Sequence, residues 1–140
     1  MSTMSETYLE KFLAKTRYGY LTTVTSEGFP RTVPVWFKWD GYRISIFTWS
    51  ESHKVKRIKQ NPRVTLLVAN ELNEHEAWVS FDGSAEIRLD GAIELMEELA
   101  EKYWDLSDPD RIATLDSWKA ESDQLCVIEL IPEQIRSSLD

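Results

Sequence analysis

Phe29-Pro30-Arg31-Thr32-Val33-Pro34-Val35-Trp36-Phe37-Lys38-Trp39 leads through Asp40-Gly41 into Tyr42-Arg43-Ile44-Ser45-Ile46-Phe47-Thr48, and this stretch decides the fold. Val33, Val35 and Phe37 recur at every second position, the period of an extended strand. Asp-Gly is the dipeptide that takes positive φ in tight hairpin turns, and the residues after it again alternate apolar with polar. Upstream, Tyr18 to Thr25 is rich in aromatic and β-branched residues and ends at the turn signal Ser26-Glu27-Gly28. Three strands in succession predict an antiparallel meander. Pro30 and Pro34 cannot donate ladder hydrogen bonds, so the second strand should lie at an edge, carry a bulge, or face a ligand over part of its length.

Working outward, Ser52 to Lys59 reads as a two-turn helix with Val55 and Ile58 inward, stopped by Asn61-Pro62. Arg63 to Ala69 is a strongly apolar strand. Ala77 to Leu89 is a strand region in two pieces around Asp82-Gly83, where the glycine marks a bend or bulge able to turn a barrel corner. Ala92, Met96, Leu99 and Tyr103 form one helical stripe ringed by Glu94, Glu97, Glu98 and Glu101, a surface helix with a core-facing seam. Tyr103 to Asp123 has weak periodicity, with Asp108-Pro109-Asp110 and Trp118 in it, and Gln124 to Ile131 is a last strand stopped by Pro132. At the start, Tyr8, Leu9, Phe12 and Leu13 at helical spacing behind Ser5, a competent N-cap, predict a short helix from Glu6 to Lys15 over one end of a barrel. The expectation is a mainly β, α+β chain with six antiparallel strands and three helices.

At 140 residues and 42% hydrophobic content the chain fits one domain, 1–140, able to bury roughly two thirds of its unfolded surface. No stretch approaches the ~18 apolar residues of a membrane span, and Met1-Ser2-Thr3-Met4-Ser5-Glu6 lacks the basic-then-apolar order of a signal peptide. A soluble cytoplasmic protein with no membrane role is expected. Cys126, the single cysteine, lies in the apolar run Leu125-Cys126-Val127-Ile128 and reads as a buried thiol in a reducing compartment. The net charge is −8, and the stretch from Asp90 to Asp123, with eleven acids against Lys102, Arg111 and Lys119, accounts for it. Within the balanced remainder, Lys54, Lys56, Arg57, Lys59 and Arg63 form a run with no acid from Ser52 to Arg63. Such an island is either a solvated helix face or a surface for a negatively charged ligand. One short basic run on an acidic chain argues against nucleic acid as a partner.

The two histidines, His53 and His75, have neither HExxH spacing nor a CxxC partner, so no metal is expected. No G-x-S-x-G elbow and no glycine-rich phosphate loop occurs. What remains is Thr48-Trp49-Ser50-Glu51-Ser52-His53-Lys54, followed by Arg57. Free N–H groups and the positive dipole end at a helix start favour an anion, and here Ser50 and Ser52 add hydroxyls and Lys54 a cation. Taken alone, Ser52 is an N-cap. The neighbouring Lys and Arg residues, with Arg31 on the adjacent strand, are what favour an anion site.

The order Arg31-Thr32-Val33-Pro34-Val35-Trp36-Phe37, a D-G hairpin, Phe47-Thr48-x-x-x-Ser52-x-Lys54 and Asn61-Pro62-Arg63-Val64 resembles the pyridoxamine-5′-phosphate-oxidase-like superfamily of flavin and deazaflavin proteins. The likeness covers Phe12 to Leu89 well and the C-terminal strand loosely, and its specificity lies in the joint order and spacing. It implies a six-stranded antiparallel split β-barrel with flanking helices, forming a homodimer that holds FMN, or alternatively a deazaflavin coenzyme, at the subunit interface. By the same likeness Arg31, Ser52 and Lys54 would hold the cofactor phosphate, with Arg57 as an added candidate. Val33, Pro34 and Val35 would flank the ring, Phe47 and Thr48 would line the cleft, and Trp78 would reach the flavin from the partner chain.

The implied activity is hydride transfer between bound flavin and a small planar acceptor, within aromatic walls formed by Trp36, Trp49 and Trp78. The ring supplies that chemistry, so no side chain is required as catalytic acid or base. A deazaflavin-dependent reductase and a non-catalytic flavin- or haem-holding protein are the alternatives. The family's vitamin B6 oxidases continue into a basic and aromatic C-terminal segment, whereas this sequence runs out at Ser137-Ser138-Leu139-Asp140, so pyridoxamine phosphate oxidation is not expected.

Overall fold

A computed structural model describes residues 6–138, so the proposed Ser5 cap lies outside the described residues. Helix α1 (Glu6–Ala14) turns Phe12 and Leu13 into the barrel core, with Tyr8 stacked on Phe12 at a centroid distance of 6.4 Å. Strands β1 (Gly19–Val24) and β2 (Pro30–Val35) form a hairpin whose turn is closed by bonds from the Gly28 and Phe29 amides to the carbonyl and hydroxyl oxygens of Thr25. The short β3 (Lys38–Trp39) pairs with β4 (Ile44–Trp49) through the Asp-Gly turn. There Gly41 takes φ +93°, and Asp40 Oδ1 accepts the Tyr42 and Arg43 amides at 2.8 Å each. Helix α2 (His53–Gln60) leads to β5 (Arg63–Ala69) and β6 (Trp78–Arg88), then come α3 (Ala92–Tyr103), α4 (Pro109–Lys119), a 3-10 turn and β7 (Leu125–Ser137).

The sheet has seven antiparallel strands in the order β2-β1-β5-β6-β7-β4-β3, one more than expected. The extra strand arises because Phe29 to Trp39 is not continuous. It breaks at Trp36-Phe37, so that β2 pairs with β1 and β3 pairs with β4, at opposite edges of the sheet. Three Cα steps reach at most roughly 11 Å, so these edges must come close to each other, and the sheet curls into a split barrel. The predicted meander is therefore corrected: β4 lies between β3 and β7 and never meets β2. Both strand prolines sit on β2, an edge strand, where a missing N–H costs no ladder bond.

Gly83 turns the corner as its type implied. A Cβ there would overlap the Ile131 carbonyl oxygen, and the register shifts between Asp82 and Gly83, leaving Glu133 as the unpaired residue on β7. Pro132 sits beside this bulge, where no amide donor is needed, so β7 continues to Ser137 instead of stopping. The weakly patterned stretch holds a fourth helix, α4, with Asp108 accepting the Asp110 amide at 2.9 Å and Pro109 in the first turn. This cap was present in the sequence, but only Leu115 of α4 is buried, so no apolar stripe announced the helix.

Two cores result. Leu21, Phe37, Ile44, Ile46, Val55, Ile58, Leu66, Phe81, Cys126 and Leu130, among others, fill the barrel. Outside it, Met96, Leu99 and Leu115 pack with Leu125 and Val127 and with half-buried Trp36, Phe47, Trp49, Trp104 and Trp118. Strand β7 is covered on both sides, which is why Leu125 to Leu130 is buried throughout.

Candidate functional site

The start of α2 is built over the barrel end of β4. Ser52 holds the N-cap position at φ −66° and ψ 153°, yet its side chain makes no cap bond. Its Oγ is buried and has no hydrogen-bond partner among the described residues. Burying a hydroxyl without a partner is costly, so a hydrogen-bonding group brought to this atom would be favourable. Lys54 lies half-buried two residues on, and burial pushes its ammonium below the ordinary lysine value. The Cys126 sulfur opposes that shift and the Arg57 charge adds to it. Beneath, Cys126 pairs across the ladder with Thr48. Burial pushes its thiol up, against the Ser50 hydroxyl that bonds it and the charges of Lys59 and Lys54.

Arg57, one turn after Lys54, donates from Nε to the Thr23 hydroxyl of β1 at 2.6 Å. Thr23 is the register partner of Arg31 on β2, so both side chains leave the hairpin on one face. Arg31 is exposed, with its guanidinium 5.7 Å from the Phe29 ring centroid. Among the described residues, none of Arg31, Lys54, Arg57, Lys59 and Arg63 pairs with a carboxylate, although the chain carries −8. Lys56 alone of the island has such a neighbour, Glu51 at 3.9 Å. The structure thus brings Arg31, Ser52, Lys54 and Arg57 into one neighbourhood, and adds Thr23. Sequence reasoning missed Thr23, although its alternation with Leu21 turns it inward, where a hydroxyl requires a partner.

The other expected residues are dispersed. Val35 is buried in the barrel core and Val33 packs against it, whereas Pro34 is exposed on the opposite face of β2. Thr48 is buried on the barrel side of β4. Its neighbour Phe47 points the other way, 5.9 Å from Trp36 and 6.0 Å from Trp118 between ring centroids. Trp36 and Trp49 belong to that same outer core. Trp78 pairs with Ala69 while Arg63, just past α2, pairs with Ser84, so within one chain Trp78 lies roughly 20 Å along the sheet from the end of α2.

A surface cavity of about 580 Å³, lined by Thr22, Arg63, Thr65, Asp82 and Arg136 among others, opens elsewhere, and none of the four neighbouring anion candidates lines it. There Asp82 accepts from Arg136 and Thr65 at 2.8 Å each, and the Arg136 guanidinium holds its carboxyl below the usual range. Among the described residues no cluster of three His, Cys, Asp or Glu is placed to hold a metal, and no helix is long and apolar enough to cross a membrane.

A family model described as pyridoxamine 5′-phosphate oxidase matches residues 6–138. The chain belongs to that family. Solved structures agree on the fold of this family member. An F420 reductase is 26% identical with a TM-score of 0.73, the match covering 90% of this chain and 94% of that one. A conserved hypothetical protein from Mycobacterium tuberculosis is 24% identical at a TM-score of 0.74, covering 97% of this chain and 85% of the other. General stress protein 26 from Bacillus anthracis is 22% identical at 0.65, covering 91% and 88%. No curated protein matches the sequence. The family includes oxidoreductases, and its members bind flavin mononucleotide or the deazaflavin F420. The α2 start suits the phosphate of such a group: a partnerless buried hydroxyl beside cations that no carboxylate neutralises.

Proposed function

We propose that this protein binds FMN through its phosphate at the α2 start and serves as an oxidoreductase, passing hydride between the flavin and a small planar acceptor. The observation that carries the proposal is the buried Ser52 Oγ without a partner, next to half-buried Lys54. In this role Ser52 donates to a phosphate oxygen, Lys54 supplies a desolvated point charge, and Arg57 and Arg31 supply charge-assisted donors. The free edge of β2 at Val33 and Pro34 borders the ring. The flavin, when bound, supplies the hydride chemistry, and the protein contributes orientation, charge and exclusion of water. A homodimer belongs to the proposal because Trp78, roughly 20 Å along the sheet from the end of α2, would wall the ring from the partner chain.

A deazaflavin coenzyme is the second reading. It is favoured by the 26% identity to an F420 reductase and by Lys59 and Arg63, exposed cations that continue the basic surface. Absorption spectra of the purified protein, titrations with FMN and with F420, and reduction by NAD(P)H decide the matter. Saturable FMN uptake with a reducible yellow chromophore supports the first reading, and tighter F420 binding selects the second. A colourless protein that takes up neither rejects both, and a monomer in light scattering with FMN bound rejects the dimeric site.

A further inference from the structure

We infer that Thr23 is a positioning residue for the phosphate site: its buried hydroxyl fixes the Arg57 guanidinium so that the two Nη groups are left to bind the phosphoryl group. The inference rests on the anion site proposed above. Thr23 is 1% exposed, on the inward face of β1, and its Oγ1 accepts from Arg57 Nε at 2.6 Å. A guanidinium has five N–H donors in a rigid plane, and the bond at Nε both consumes one of them and stops rotation of that plane. The donors that remain are on Nη1 and Nη2, the edge able to grip two oxygens of one phosphoryl group.

Three further observations converge on the same role. Arg57 faces no carboxylate among the described residues, so its charge is not consumed within the protein. Arg31 stands directly across the ladder from Thr23, so a second cationic side chain leaves the hairpin on the same face. Lys54 precedes Arg57 by three residues on α2, and its ammonium is disfavoured chiefly by burial and further by the charge of Arg57. An anion at the α2 start would relieve the repulsion between these two like charges, and the bond to Thr23 holds Arg57 in place to share it.

The test compares FMN with riboflavin, which lacks the phosphate, and uses inorganic phosphate as a third probe. Thr23→Val keeps shape and burial but removes the hydroxyl. It should lower the affinity for FMN and for phosphate roughly three- to tenfold, the effect of one hydrogen bond, while leaving riboflavin affinity unchanged. Thr23→Ser should restore the FMN-over-riboflavin preference. In an Arg57→Ala background, Thr23→Val should have no further effect, since a positioning residue acts only through the group it positions. Equal loss for FMN and riboflavin, or full additivity with Arg57→Ala, overturns the inference. Should Thr23→Val fail to fold, Arg57→Lys keeps the charge without the fork, and an undiminished FMN preference in that variant overturns it as well. If the wild type binds phosphate and shows these effects but takes up no flavin, the flavin reading fails and the role of Thr23 stands. Binding of neither probe rejects both.

Discussion

Replacing Ser52 by alanine should raise the stability of the free protein and weaken its hold on FMN. An N-cap serine ordinarily contributes about 0.5–2 kcal/mol through its side-chain bond. At Ser52 that bond is absent and the Oγ is buried without a partner, so alanine forfeits nothing and relieves a desolvated hydroxyl. A buried unpaired polar group costs about 1–3 kcal/mol. Because an isolated hydroxyl sits at the low end, the expected gain is up to ~1 kcal/mol, a rise in Tm of roughly 3 °C at this chain length. The backbone at φ −66° and ψ 153° suits alanine, so no strain offsets the gain. In the complex the sign reverses. Losing a hydrogen bond to a charged phosphate oxygen costs about 1.5–3 kcal/mol, or roughly 10- to 150-fold in Kd. At an FMN concentration of 100 times the wild-type Kd, ligand binding stabilises the wild type by about 2.7 kcal/mol and the variant by much less. The order of the two melting temperatures should therefore cross between apo and FMN-saturated samples. Thermal unfolding with and without FMN, with calorimetric titration, reads both quantities. A variant destabilised by more than ~1 kcal/mol in the absence of ligand, or one with unchanged FMN affinity, would refute the reasoning.

Lys54 gives a pH signature. Burial lowers its value in the folded chain, so the unfolded chain holds the proton more tightly, and apo stability should rise with pH from that lowered value up to about 10.5, the ordinary lysine value. Phosphate affinity should fall over the same range as the ammonium is lost, and Lys54→Arg, which stays charged, should abolish the fall. Gly83→Ala should cost about 3 kcal/mol in urea unfolding, since the methyl meets the Ile131 backbone oxygen and not a side chain that can move; an unchanged midpoint would show that β7 yields at its bulge. Glu74, with its carboxyl held at about 2 chiefly by the Arg17 guanidinium at 2.7 Å, should contribute stability in full above about 4.5 and lose it as pH falls toward 2. In Glu74→Gln the segment of acid-induced destabilisation between those values should disappear, as followed by denaturant titrations at successive pH.

Local chemistry made much of the fold legible. Asp40-Gly41, the edge-strand prolines and the corner glycine Gly83 each act where their residue type required. What could not be read was which strand pairs with which. The run from Val33 to Trp39 has one uninterrupted alternation, but Val35 faces a core closed by β1 while Lys38 and Trp39 pair with β4 across the split. Nothing in a period of two records that a strand has changed edges, because both segments still alternate. Proline at 132 misled for a related reason: its missing donor ends an ordinary strand but is harmless at a bulge, and the bulge exists only because Gly83 lies opposite.

The same limit explains the division of the candidate site. Ser52, Lys54 and Arg57 are gathered by two turns of one helix, so their neighbourhood followed from spacing, whereas Arg31 is linked to them only through β1, where Thr23 pairs with Arg31 and bonds Arg57. Phe47 and Thr48 were paired by likeness, yet adjacent residues of a strand point to opposite sides, and here one side is the barrel and the other is the packing of α3 and α4. Their side chains therefore leave β4 on opposite sides. The tryptophans obey the same logic: Trp36 stacks on Tyr103 at 5.0 Å and meets Trp104 at 4.8 Å, so its ring is already spent on the outer core. In the proposed dimeric site, a planar ligand at the α2 start is bordered by β2 and by the surface of a partner chain. Substitution at Trp36 should accordingly act on stability, and substitution at Trp78 on ligand affinity in the dimer.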